Sequence, residues 1–297
     1  VTNETWDDFW LNEGFTVYFE QRIMEEIFGV QYSNMETENG YMELLEEIET
    51  ISKENPDDTK LKLELDGRNP DDGMTSIAYE KGRFLLTRIE YTVGRENWDK
   101  FLIKYFKENA FKTMNTNKFI EYINTNLLNQ NPEWKSIINM EEWIFKSGLP
   151  NNCPIITSTL LDEVRNEIKQ FETTNNVTNL KAENWTTHQW LYFLRNCKKE
   201  NIQNNMMALD NKFGLNSSTN SEILCDWCTH GIESNYKENK FDNSLENFLL
   251  TVGRRKFLEP LYIRLARHNK EWGKKVFEKA KDGYHSVSKN TIEEILK

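Results

Sequence analysis

Glycine and proline are scarce in this chain, 13 Gly and 6 Pro in 297 residues, where average usage would supply about 35. So few turn-forming residues cannot serve a fold of many short strands. Long helices joined by short links are the expectation. Apolar spacing points the same way: Phe15, Phe19, Ile23 and Ile27 recur every fourth residue, and Gly29 stands where a helix should end. The spacing predicts a helix over 13–29, and others over 41–51, 75–93, 97–107, 116–128 and 140–146. A short strand is expected at 60–65, inside the polar stretch 52–73 that holds Pro56, Gly67, Pro70 and Gly73.

The segment 147–154, with two prolines and a glycine, is the best candidate boundary. Beyond it, helical patterns follow at 157–173, 186–197, 203–213, 221–230, 243–251, 260–266 and 270–281. Helix after helix with short polar links and no strict repeat suggests stacked helical hairpins of the solenoid kind. The expected fold class is therefore mainly α.

Charge narrows the function classes. The formal net charge is −11, which argues against partners with phosphate backbones and against anionic membrane surfaces. Mean hydropathy is −0.74, and no apolar run approaches the ~20 residues of a membrane-spanning helix. Aromatic residues reach 12% with nine Trp, so the chain has the material for a packed core. Four cysteines (Cys153, Cys197, Cys225, Cys228) are too sparse for a disulfide framework and suit a reducing, cytoplasmic location. Cys225-x-x-Cys228 has no second CxxC and no βαβ pattern around it, so small core side chains are the better reading than half a metal knuckle.

On the first helix, Glu13 and Glu20 lie two turns apart on one face. By residue type alone they form a solvated face or a pair able to bind a metal or move protons. The surrounding residues are more specific. Trp10-Leu11-Asn12-Glu13-Gly14, followed by Tyr18 and Glu20, resembles the second zinc motif, WLNEGxxxYxE, of the gluzincin zinc aminopeptidases of the leukotriene A-4 hydrolase family. Tyr79-Glu80-Lys81-Gly82 matches that family's YEKG segment, and Gly253-Arg254-Arg255-Lys256-Phe257 resembles its GRxKF segment. Without the family match, Tyr79 would read as a tyrosine at the core edge, and residues 253–257 as a basic surface turn.

The resemblance implies roles for these positions. Glu13 would be a zinc ligand, and Glu20 would stand behind it orienting a ligating imidazole. Tyr79 would donate to the oxyanion of the tetrahedral intermediate. Arg254 and Lys256 would hold a substrate carboxylate, Arg through a bidentate fork and Lys as a point charge. Asp71 is the best match for a water-orienting acid in the preceding loop, beside Asp72. Met74 stands where the epoxide-hydrolysing members carry a tyrosine, so aminopeptidase chemistry transfers better than epoxide hydrolysis.

By the same resemblance, residues 1–150 form the C-terminal part of a thermolysin-like catalytic domain, and 151–297 an armadillo- or HEAT-like helical domain. The family's HExxH and GxMEN segments would lie upstream of Val1. All four histidines (His188, His230, His268, His285) fall beyond residue 187, none in an HExxH context. A catalytic zinc takes three protein ligands, of which the motifs supply one here. The expectation is part of a zinc aminopeptidase acting on short peptides with a free N-terminus. Its partner would be a missing N-terminal part of the same protein, and this chain alone would be inactive. The alternative is a non-catalytic helical interaction module.

Overall fold

A computed structural model describes residues 1–297. It is mainly helical and divides into two compact units, Val1–Thr159 and Leu160–Lys297. No helix is long and apolar enough to cross a membrane.

The first unit holds α1 (Trp10–Phe28), α2 (Val30–Ser52), α3 (Gly82–Val93), α4 (Arg95–Glu108), α5 (Thr116–Asn126), α6 (Pro132–Ile138) and α7 (Met140–Phe145). Helix α1 packs against both α2 and α3. Single glycines separate α1 from α2 and α3 from α4. Gly29 (φ +88°) and Gly94 (φ +82°) adopt a backbone that L side chains rarely enter, so each helix restarts at once in a new direction. Helix α2 accordingly begins at Val30, ahead of the expected 41–51. Trp10, Trp98, Trp143, Phe84 and Phe119 are wholly buried in the core. Trp10 Nε1 donates to Thr116 Oγ1 at 3.0 Å, and Trp143 Nε1 to Asn152 Oδ1 at 2.9 Å.

The expected strand at 60–65 does not form. That segment is extended, but it borrows single partners rather than a ladder: Lys62 N–H donates to Ile144 O, Leu63 N–H to Asp7 O and Leu65 N–H to an Asp7 carboxylate oxygen. The one sheet is a two-residue parallel pairing of β1 (Thr2–Asn3) with β2 (Thr113–Met114), Thr2 opposite Thr113 and Asn3 opposite Met114.

The second unit is a stack of α8 (Leu160–Thr174), α9 (Thr187–Asn196), α10 (Lys199–Asn204), α11 (Met206–Phe213), α12 (Ser221–Glu233), α13 (Asn239–Thr251), α14 (Arg255–His268), α15 (Lys270–Ala280) and α16 (Ser286–Leu296). Helices α9, α12, α14 and α16 are successive neighbours; α8 lies on α9, and α13 on α15. This is the hairpin stacking expected of a solenoid-like domain. Capping is explicit at the helix starts. Thr186 and Gln189 form a capping box on α9, and the Asn220 side chain accepts from two N–H groups of α12. Pro260, read from sequence as a helix start, lies inside α14, where it removes one intrahelical hydrogen bond.

All four cysteines are free thiols: Cys197, Cys225 and Cys228 are buried and Cys153 half-buried. Burial pushes the Cys153, Cys197 and Cys225 thiols up to about 12, and that of Cys228 well above its usual value.

Candidate active site

Glu13 belongs to the first turn of α1. That turn is anchored by Asp8, whose buried carboxylate accepts from Thr116 N (2.9 Å), Thr116 Oγ1 (2.8 Å) and Thr5 Oγ1 (2.7 Å) and pairs with Lys62 at 3.2 Å. Burial alone would raise the Asp8 pKa. The Thr116 and Thr5 hydrogen bonds, with the Lys62 charge, outweigh it and hold the carboxyl below its usual value. Nothing in the apolar pattern of the sequence marks Asp8 as this anchor.

The Glu13 side chain itself is half-buried, and no hydrogen bond or ion pair within the chain engages its carboxylate. Burial raises its pKa, so the site favours a neighbour that supplies positive charge. Glu13 borders a cavity of 510 Å³ lined by Leu11, Phe15, Phe19, Tyr105, Phe106 and Met114 among others. Glu20 is exposed, two turns further on.

Tyr79 sits on a π-helical turn, Ile77–Lys81, that runs directly into α3. Turns of this kind are rare and are frequent at functional sites. All four residues of the YEKG motif have structural partners. Tyr79 is half-buried, its ring edge-on to Phe9 at 5.9 Å. Glu80 accepts from Arg83 Nε and Nη2 at 3.0 and 2.7 Å. Lys81 is 0% exposed; its Nζ donates to Thr59 O at 2.8 Å and to Lys146 O at 3.0 Å. Burial pushes this amine down to about 7, against an opposing pull from Glu142.

Gly82 completes the arrangement. A Cβ on Gly82 would lie 3.0 Å from Gly14 Cα, and one on Gly14 would lie 3.0 Å from the Gly82 backbone. The glycines of the two motifs thus touch, and α1 and α3 approach as closely as backbones allow. This crossing carries Tyr79 toward Glu13. The Tyr79 phenol is raised first by burial and then by the Glu13 charge, which leaves it a protonated hydrogen-bond donor at neutral pH.

Around the preceding loop, Asp71 is exposed on a short turn capped by the Asn69 side chain, with no side-chain partner in the chain. Its neighbour Asp72 leans toward Arg68 at 3.6 Å. Met74 is also exposed.

In the second unit, Arg254 is the residue just before α14, exposed, its guanidinium without hydrogen bond or ion pair. Lys256 is engaged: Nζ bonds Glu222 Oε1 at 2.6 Å. The structure therefore adds a second difference to that between fork and point charge: Arg254 is uncommitted and Lys256 is paired. Cys225 and Cys228 point into the α12 core, and His230 beside them bonds Leu194 O at 2.8 Å. No group of three His, Cys, Asp or Glu side chains in this chain could hold a metal ion.

Known proteins resemble the chain along its whole length. A family model for the peptidase family M1 domain matches residues 1–143, and one for the leukotriene A4 hydrolase C-terminal domain matches 185–296. Leucine aminopeptidase 2 of Yarrowia lipolytica is 30% identical over 323 aligned residues, covering all of this chain and 48% of the relative. A leukotriene A-4 hydrolase homolog of Botryotinia fuckeliana is 29% identical, covering all of this chain and 46% of its own length. Yeast LTA4 hydrolase in complex with bestatin superposes with a TM-score of 0.88 at 26% identity, over all of this chain and 51% of that one. The chain spans about half the length of the curated relatives it matches.

Proposed function

Because this chain belongs to the peptidase family M1, in its leukotriene A4 hydrolase branch, we propose that it forms part of a zinc-dependent aminopeptidase that releases N-terminal residues from short peptides. The observation that carries the reading is the Gly14–Gly82 crossing, which brings the carboxylate of one motif and the phenol of another to the same place. Residues 66 positions apart in sequence meet there, close enough for the Glu13 charge to act on the Tyr79 phenol.

Zinc, when bound, would polarise the attacking water and the scissile carbonyl. Within this chain Glu13 offers one ligand oxygen, and the remaining ligands and the general base are to be supplied by residues outside the 297. Tyr79 keeps its proton at neutral pH and donates a hydrogen bond to the developing oxyanion. Glu20 supports the ligand set from the next turns of α1. Asp71, free on its turn, is the candidate for orienting water or the substrate amine. Arg254, uncommitted within the chain, takes the carboxylate of a short peptide; Lys256, already paired with Glu222, contributes less. With Met74 in place of a phenol, epoxide hydrolysis is not supported. Residues 1–150 act as the catalytic part and 151–297 as the helical domain, in a reducing compartment such as the cytoplasm that suits four free thiols.

The test uses the protein that carries this chain together with an HExxH segment. Tyr79→Phe is expected to leave KM in place and lower kcat by about 10²–10³-fold. Arg254→Ala should weaken kcat/KM for a tripeptide and spare its C-terminal amide. A Tyr79→Phe enzyme changed in KM alone would make Tyr79 a binding residue. A native protein with no HExxH segment would replace the enzyme reading with that of a helical interaction module.

A further inference from the structure

A π-turn holds one residue more than the α-helical path between the same ends, and such strained geometry persists only where its surroundings over-determine it. At Ile77–Lys81 the surroundings are of three kinds. Ile77 and Ala78 are buried, Gly82 lies against Gly14, and Lys81 reaches two backbone carbonyls. Apolar burial is non-directional and tolerates a small rotation of the turn. A two-point hydrogen bond is directional. The carbonyls belong to segments 22 and 65 residues away in sequence, so the clamp refers the turn to the body of the unit rather than to its own helix. An aliphatic side chain of similar length would fill the same space without the cost of burying an amine. What the amine adds is direction.

We propose that Lys81 is a positioning residue for Tyr79: its clamp on Thr59 O and Lys146 O holds the π register that turns the phenol toward Glu13. The inference rests on the role given to Tyr79 above. Loss of the extra residue from the register rotates a side chain about the helix axis by about 100°. That rotation takes Tyr79 off the Phe9 ring edge and away from the Glu13 charge.

The 297-residue chain suffices for the decisive measurement. With 3-fluorotyrosine at position 79, the 19F resonance should move when Glu13→Gln removes the neighbouring charge. In a Lys81→Met background the same substitution should leave the resonance nearly unmoved. A purely structural lysine would lower thermal stability and leave the Glu13 response intact, and that outcome overturns the proposal. So would a wild-type resonance indifferent to Glu13→Gln. Should Lys81→Met fail to fold, Lys81→Leu, which fills the space without a donor, carries the same comparison with a lost response expected and an undiminished one fatal. In the longer enzyme, Lys81→Met should lower kcat by roughly 10²-fold with KM held, as for a misplaced catalytic group. If that enzyme proves to have no aminopeptidase activity, the functional reading fails while the 19F response still decides the role of Lys81.

Discussion

Where α3 begins, the chain is pinned from inside; where α14 begins, only its apolar residues are. Around Tyr79 the polar groups are buried and bonded to backbone, as at Lys81 and Asp8, and the glycines leave no spare space. Around Arg254 the anchors are Phe257 and Leu258 in the core, while the cations stay in solvent: Arg254 unpaired, Lys256 on half-buried Glu222. A donor to a transition state must be held to a fraction of an ångström, and rigid, dry surroundings do that. A group that captures a mobile carboxylate can tolerate freedom, provided it is free to bind. The contrast in build matches the contrast in proposed roles.

The largest effect expected from this contrast is at the inner pins. Asp8→Ala strands the buried Thr116 N–H and hydroxyl, while Lys62 keeps Asp7 at 3.5 Å, and should cost about 2–4 kcal/mol for two donors left without their acceptor. Urea titration of the chain and its variant would read it, and a loss below about 1 kcal/mol would deny Asp8 its anchoring role. The pH sign follows. The folded-state pKa of Asp8 lies below the unfolded value, so its contribution is present above the ordinary carboxyl range near 4 and fades as pH falls through the folded value.

The glycines come next. Gly82→Ala or Gly14→Ala places a Cβ 3.0 Å from the facing backbone, and overpacking of this kind costs about 1–3 kcal/mol. Gly253→Ala meets only Gly283 O, at 3.7 Å, and should stay within about 0.5 kcal/mol. Equal losses at Gly82 and Gly253 would erase the distinction between the two regions. The smallest effect belongs to Lys256→Ala. Its pair with Glu222 is half-exposed and should contribute about 0–1 kcal/mol, less at high salt. Thermal melts at two ionic strengths would check it, and a loss of several kcal/mol would mean that the start of α14 is pinned after all.

Much of this was legible in the sequence, for physical reasons that vary from element to element. Helices with a regular apolar stripe, such as α1 with Phe15 and α4 with Trp98, announce themselves. The first turns of α2 do not, because the residues it turns inward there include Ser33, Thr37 and Gly40, which hydrophobic periodicity cannot register. Pro260 reads as a helix start because proline is favoured there; the buried Phe257 and Leu258 before it extend α14 back to Arg255, five residues ahead of the proline. The motifs named Glu13 and Tyr79, but not how they meet. That depends on a glycine–glycine crossing and on a lysine reaching carbonyls 22 and 65 residues off. Nor could the motif separate a free Arg254 from a committed Lys256, since Glu222 lies 34 residues away.

The placement of the four thiols has a practical corollary. Each is held protonated, and three are sealed in the core, so an alkylating reagent attacks the native chain slowly and the opened chain fast. Cys153 belongs to the unit Val1–Thr159, and Cys197, Cys225 and Cys228 to the unit Leu160–Lys297. The molecule therefore carries a separate clock in each unit. The order in which the thiols are trapped tells which half opens first, with no label added and no residue replaced.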